Sequence, residues 1–169
     1  LYGWNTLFKR VSDIILSSLA ILITFPLMVL IAIVIKLESR GPLLYKQERM
    51  GLDRDVFWMY KFRSMKPGAE KQSGPVWAKE DDDRRTRVGT FLRSTSLDEL
   101  PQLFNVFVGQ MSLVGPRPER PIFVDEFKKS IPFYMFRLKM KAGLTGWAQV
   151  NGWRGNTSLE KRIEFDLYY

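Results

Sequence analysis

The sequence predicts an α+β protein that is mostly helical, with a small β-hairpin and one long apolar helix near its start. Three observations carry this expectation. Residues 14–35 form a run of 22 positions without a charge. Two strand-like runs, 43–45 and 56–60, flank the turn-rich segment Gly51-Leu52-Asp53-Arg54-Asp55. Further along, apolar residues recur at helical spacing, as in Leu97, Leu100, Phe104 and Phe107.

Composition narrows the chemistry before any element is considered. The chain has 169 residues, the size of one domain, with no histidine and no cysteine. Imidazole and thiolate are therefore absent as nucleophile, base or metal ligand, and carboxylates, lysines, hydroxyls or amides must do any chemistry. A net charge of +8 points to an anionic partner such as phosphate, lipid headgroups or nucleic acid. The chain opens on Leu1 rather than Met, which reads as a piece of a longer protein.

The charge-free run comes first. As a helix it reaches about 33 Å, close to the thickness of a hydrocarbon core. No small-residue cleavage site follows it, which argues against a signal peptide. Pro26 lies in its middle, where it removes a backbone hydrogen bond and clashes with the carbonyl four residues back. The kinked helix either spans the bilayer or bends back and leaves on the side it entered. Lys9 and Arg10 before the run, with Lys36 and Arg40 after it, suit two cytoplasmic ends. These considerations leave both topologies open.

The hairpin follows, and its second strand leads into Lys61-Phe62-Arg63, two cations that a strand would place on one side. Either they contact phosphate or they form a solvated strand face. Residues 66–87 read as a loop and a charged helix start, with the self-neutralising block Glu80-Asp81-Asp82-Asp83-Arg84-Arg85.

The stretch Arg93-Ser94-Thr95-Ser96-Leu97-Asp98-Glu99-Leu100-Pro101-Gln102 is the most informative. Ser96 and Glu99 fit a capping box at a helix start, and Pro101 falls in the first turn. One reading is structural: Glu99 caps and Asp98 complements the helix dipole. The other is chemical. A helix start beside Arg93 favours ionised carboxylates and bound phosphate, and an ionised aspartate can attack phosphorus.

Next, Pro116-Arg117-Pro118-Glu119 presents Arg117 from a stiff loop suited to bidentate phosphate recognition. Residues 121–140 mix aromatics with lysines and arginines, as a helix lying in the headgroup region does, although core packing explains aromatics equally well. The segment 143–154 supplies turn glycines, Gln149, Asn151, Arg154 and two indoles, material for a nucleotide or sugar pocket.

Taken together, Phe8-Lys9-Arg10 into a proline-broken apolar helix, Tyr60-Lys61-Phe62-Arg63-Ser64-Met65, the Asp98-Glu99 stretch, Ser112-Leu113-Val114-Gly115-Pro116-Arg117-Pro118-Glu119 and Gly143-Leu144-Thr145-Gly146-Trp147-Ala148-Gln149-Val150-Asn151-Gly152 resemble the bacterial sugar transferases, the monotopic phosphoglycosyl transferases. The resemblance implies transfer of a sugar 1-phosphate from a UDP-sugar to undecaprenyl phosphate, with release of UMP. It implies a re-entrant helix over 1–40, a catalytic domain over 41–169, and a place on the cytoplasmic face of the bacterial inner membrane. By the same resemblance Asp98 is the nucleophile that forms a covalent phosphosugar intermediate, Glu99 its partner, and Mg²⁺ assists near Asp98. Arg93 matches the family's arginine before the acid pair and Arg117 its arginine between prolines, both candidates for binding substrate phosphate, with Lys61 and Arg63 as further candidates for donor or lipid phosphate. Phe25 stands before Pro26 where many relatives carry a small polar residue. The motifs Pro116-Arg117-Pro118-Glu119-Arg120-Pro121 and Gly152-Trp153-Arg154-Gly155 look like those of the larger members, which use UDP-glucose or UDP-galactose to begin exopolysaccharide or capsule synthesis. A membrane-tethered module that binds anionic lipid without turnover is the competing reading. The membrane segment argues against a nucleic-acid partner.

Overall fold

A computed structural model describes residues 3–69, 82–155 and 157–169. The chain is α+β, as expected, and begins with α1, Trp4–Glu38. Among the described residues α1 is the one helix long and apolar enough to cross a membrane. It remains helical through Pro26, where the sequence predicts a break. Ser17, Ser18 and Thr24 bond back to carbonyls of the preceding turn, and Thr24, whose Oγ1 donates to Ala20 O at 2.7 Å, lies two residues before the proline. Such back-bonding bends helices. A stripe of buried residues, Asp13, Ser17, Met28, Ile31 and Ile35, runs along α1. Leu22, Ile23 and Phe25 remain exposed.

The hairpin is longer than its sequence signals. β1, Leu44–Met50, pairs antiparallel with β2, Val56–Phe62, in a register that places Tyr45 opposite Lys61 and Arg49 opposite Phe57. Phe57 and Met59 are buried on the face that also carries Lys61. Residues 70–81 lie outside the described segments, and with them Glu80 and Asp81 of the acidic block. Asp82 holds Arg84, with Nη2 and Oδ2 2.6 Å apart.

Helix α2, Arg87–Ser94, is capped by Thr86, whose side chain accepts from Gly89 N. Gly89 is needed for packing, because a Cβ there would collide with the backbone of Ser64. That close approach draws Arg93, at the far end of α2, toward the end of the hairpin. The expected helix from Ser96 does not form as one piece. Leu97–Glu99 is a 3₁₀ turn, and α3, Gln102–Val108, starts after Pro101. Ser96 is left-handed (φ 61) and makes no capping bond, so the capping box is absent. An N-cap residue adopts extended backbone angles, which Ser96 lacks. Gly109, also left-handed, ends α3.

Two three-residue strands, β3 (Ser112–Val114) and β4 (Gly143–Thr145), pair in parallel. Between them come α4, Pro121–Ser130, and a 3₁₀ segment, Tyr134–Lys139. Short α5, Trp147–Val150, and α6, Leu159–Tyr168, complete the chain. In the aromatic stretch 121–140, Val124, Ile131, Tyr134 and Leu138 form a core cluster with Ile163 of α6, while Phe133 and Phe136 are exposed. A second cluster joins Met28, Ile31 and Ile35 of α1 to Phe62, Leu92 and Leu103. The apolar helix is thus built into the same core as the hairpin, α2 and α3.

Candidate active site

The turn at Ser96 delivers the two carboxylates. A left-handed serine is uncommon and strained, and here Arg154 holds it, with Nη2 donating to Ser96 Oγ at 2.7 Å. The following 3₁₀ turn buries both Asp98 and Glu99. They line a cavity of about 550 Å³, a size typical of small-molecule clefts. Arginines and lysines outnumber carboxylates along its walls ten to four.

The two acids have different partners. Glu99 is fully engaged. Arg117 donates from Nη2 to Oε1 (2.5 Å) and from Nη1 to Oε2 (3.2 Å), and Lys61 Nζ donates to Oε1 at 2.9 Å. Burial alone would raise Glu99, but Arg117 and Lys61 outweigh it and hold the carboxyl far below the usual range. Asp98, 6% exposed, has no hydrogen bond or ion pair among the described residues. Burial raises its pKa, partly offset by the charge of Lys61 and, less so, of Arg93. Burial also lowers Lys61 to about 8, helped by repulsion from Arg117 and opposed by Glu99.

Asp98 is therefore the free carboxylate of the pair, inside a cationic cavity. Among the described residues no group of three or more acidic side chains gathers to hold a metal. A hard cation such as Mg²⁺ commonly takes one or two carboxylates and completes its shell with substrate phosphates and water. Asp98, without another partner among the described residues, is the carboxylate of this site open to such a role.

Of the residues singled out in the sequence, Asp98, Glu99, Arg93, Arg117, Lys61, Arg63 and Arg154 all line this cavity. Gln149 and Asn151 do not. They belong to α5 and its C-cap, and Asn151 Nδ2 donates to Trp147 O. Arg63 lines the cavity wall, but its guanidinium bonds to oxygens at the exit of α1.

Sequence reasoning missed the buried cluster in and behind the cavity wall. Glu119 accepts from Arg49 and from Arg162, each at 3.4 Å. Arg137 and Asp166 pair at 2.7 Å with side chains 1% and 2% exposed, and Arg137 Nη2 also donates to Arg117 O at 2.7 Å. This cluster fixes the backbone of the loop that aims Arg117. Its only sequence signal is the placing of charged residues at otherwise apolar positions of α6.

The chain matches the bacterial sugar transferase family over residues 4–169. It is 48% identical to a UDP-glucose:undecaprenyl-phosphate glucose-1-phosphate transferase of Escherichia coli (strain K12), with 100% of this chain and 37% of the relative aligned. It is 47% identical to a UDP-N-acetylgalactosamine-undecaprenyl-phosphate N-acetylgalactosaminephosphotransferase of Aeromonas hydrophila, over 95% of this chain and 38% of that protein. It is 42% identical to the exopolysaccharide production protein PSS of Rhizobium leguminosarum bv. phaseoli, over 95% of this chain and 84% of that protein. The chain thus spans little more than a third of the length of the first two relatives.

Proposed function

The chain belongs to the bacterial sugar transferase family, and from that premise we propose that it transfers a sugar 1-phosphate from a UDP-sugar to undecaprenyl phosphate, releasing UMP. The observation that carries the reading is the asymmetry of the acid pair: a free Asp98 beside a Glu99 neutralised by Arg117 and Lys61. Passive anion binding has no use for a buried carboxylate left unpaired at the bottom of a cationic cavity.

In the proposed reaction an Asp98 oxygen attacks the β-phosphorus of the donor. The bond to UMP breaks, UMP leaves with the electron pair, and the sugar phosphate stays on Asp98 as an acyl phosphate. A phosphate oxygen of undecaprenyl phosphate then attacks the same phosphorus and frees Asp98. Arg93, Arg117, Lys61 and Arg154 neutralise and orient the pyrophosphate, and Glu99 keeps Arg117 and Lys61 in place. Mg²⁺, held by Asp98 and donor phosphate oxygens, would add charge neutralisation. UDP-glucose or UDP-galactose is the proposed donor.

The acceptor is a lipid, so the site must face a membrane surface. Two features support a re-entrant α1 with both ends on one side. Lys9, Arg10 and Asp13 bond to the domain at one end of the helix. Ile31, Ile35 and Glu38 pack or bond to the same domain at the other. We place the protein on the cytoplasmic face of the inner membrane, where nucleotide sugars are made.

The test is UMP release from UDP-sugars on adding undecaprenyl phosphate, with label retained on protein when donor is given alone. We expect Asp98→Asn to lose on the order of 10³-fold or more in turnover and all retained label, and EDTA to abolish turnover until Mg²⁺ is restored. Wild-type turnover by Asp98→Asn would sink the nucleophile assignment, and full activity in EDTA would remove the metal. Lipid binding without UMP release from any donor would leave the non-catalytic module.

A further inference from the structure

Arg63 sits one residue beyond β2, on the wall of the catalytic cavity, yet its guanidinium serves the membrane helix. Nη2 donates to Ser39 O and Ser39 Oγ, both at 2.8 Å, and to Ile35 O at 3.4 Å, while Nη1 donates to Arg40 O at 3.2 Å. A helix C-terminus leaves its last carbonyls without intrahelical partners and carries the negative end of the helix dipole. A buried guanidinium satisfies both, and Arg63 is 6% exposed. Two residues earlier, Lys61 bonds Glu99. The step from 61 to 63 therefore links the acid pair to the point where α1 ends.

The turn after α1 is fitted to this contact. Gly41 has φ +133, and a Cβ there would fall inside contact distance of Arg63 Nη1. Lys36 Nζ closes the same turn by donating to Gly41 O at 2.9 Å. The next residues, Pro42 and Leu44, already line the cavity, as do Ser64 and Met65 after Arg63.

We propose that Arg63 is a positioning residue that locks the exit of α1 to the cavity wall, setting the height of Asp98 over the membrane surface so that the acceptor phosphate reaches it. The inference rests on the transferase reading for its kinetic consequence, but the lock itself is a structural claim.

Two measurements test it on the protein in liposomes. Hydrogen exchange of the backbone amides of 39–44 reads the lock without turnover: Arg63→Gln and Gly41→Ala each speed it locally, and unchanged exchange in both overturns the proposal. Steady-state UMP release, with UDP-glucose and undecaprenyl phosphate varied in turn, reads the consequence. Each variant loses up to about 10²-fold in kcat/KM for the lipid, the scale of a displacement of about 1 Å, while the donor KM stays within about twofold. The double variant is no worse than the worse single one, because both act through one contact. A raised donor KM in Arg63→Gln with Gly41→Ala silent makes Arg63 a donor-phosphate contact and overturns the proposal, as do fully additive losses. Should Arg63→Gln fail to fold, Gly41→Ala decides alone: an acceptor-specific loss supports the lock and its absence overturns it. A wild type that releases no UMP from any donor defeats the transferase reading, and the exchange result still judges the lock.

Discussion

Asp98 and Glu99 are adjacent in the chain, yet their surroundings separate them. Burial acts on both. Only Glu99 receives two cations at hydrogen-bond distance, so it stays ionised across the working range while Asp98 is raised. Neighbouring carboxylates held apart in this way are the usual means of giving two acids two roles. Lys61 sets the alkaline limit. Its pKa is lowered to about 8, first by burial and then by Arg117. Below that value the ammonium is charged and pairs with Glu99. As pH rises through about 8 it loses its proton, and the cavity loses one positive charge. We expect kcat/KM for the donor to fall on that limb. Lys61→Arg keeps its charge to far higher pH, so the limb should move up or vanish in that variant. An unmoved limb would assign the titration to another group. Asp98, Glu99, Arg93, Arg117 and Arg154 could all be picked out as candidates in the sequence, because each lies in a local motif, and all five line one cavity. The division of labour between them could not. The spacing of Ser96 and Glu99 suits a capping box, but Ser96 is left-handed and Glu99 turns to Lys61 and Arg117 instead, partners 38 and 18 residues away.

Helix α6 reaches the cavity directly through Arg162 and supports the site indirectly through one loop. Its Asp166 holds Arg137, and Arg137 holds the carbonyl of Arg117, so the guanidinium that grips Glu99 has a backbone fixed from behind. A buried ion pair contributes little relative to an apolar replacement, but removing one partner strands the other charge and costs about 3–5 kcal/mol. Asp166→Ala leaves Arg137, 1% exposed, without its carboxylate. We expect its melting temperature to fall by roughly 6–20 °C, with Asp166→Leu/Arg137→Met recovering much of that loss in stability but not the activity. A single variant that melts with the wild type would show that the pair does not hold the loop. This clamp left only the trace of charged residues on the apolar face of α6, and the parallel β3–β4 pair left none, because its three-residue strands are too short to show a period and lie about 30 residues apart. The hairpin was legible because its runs are bounded by turn residues, and α1 because length and absence of charge are read directly. Where Arg63 would go was not legible: an alternating strand places it beside Lys61, but β2 ends at Phe62 and the next side chain follows the exit of α1.

At the scale of the molecule, the question is what holds both ends of a 35-residue apolar helix to one polar domain. At the N-terminal end Arg10 donates to Val106 O and Phe107 O, the last carbonyls of α3, and Asp13 accepts from Leu113 N and Ser112 Oγ on β3. At the other end Glu38 accepts from Val88 N at the start of α2, and Met28, Ile31 and Ile35 are in the core. A spanning α1 would have to surrender one set. Hydrogen bonds involving charged groups contribute about 1.5–3 kcal/mol each, so Arg10 and Asp13 together outweigh the roughly 3 kcal/mol that a continuous helix regains when its proline is removed. We therefore expect the docked ends, more than Pro26, to set the topology. The chain has no cysteine, so single probes at Asn5→Cys and Arg40→Cys, both exposed, can be read without background. A membrane-impermeant maleimide applied to sealed vesicles should label both sites or neither. Pro26→Leu alone should leave that result unchanged, whereas adding Arg10→Leu and Asp13→Leu should free the N-terminal end and split the labelling in part of the population. Opposite labelling in the otherwise unaltered protein would make α1 a spanning helix, and split labelling in Pro26→Leu alone would show that the proline, not the docked ends, turns the helix back.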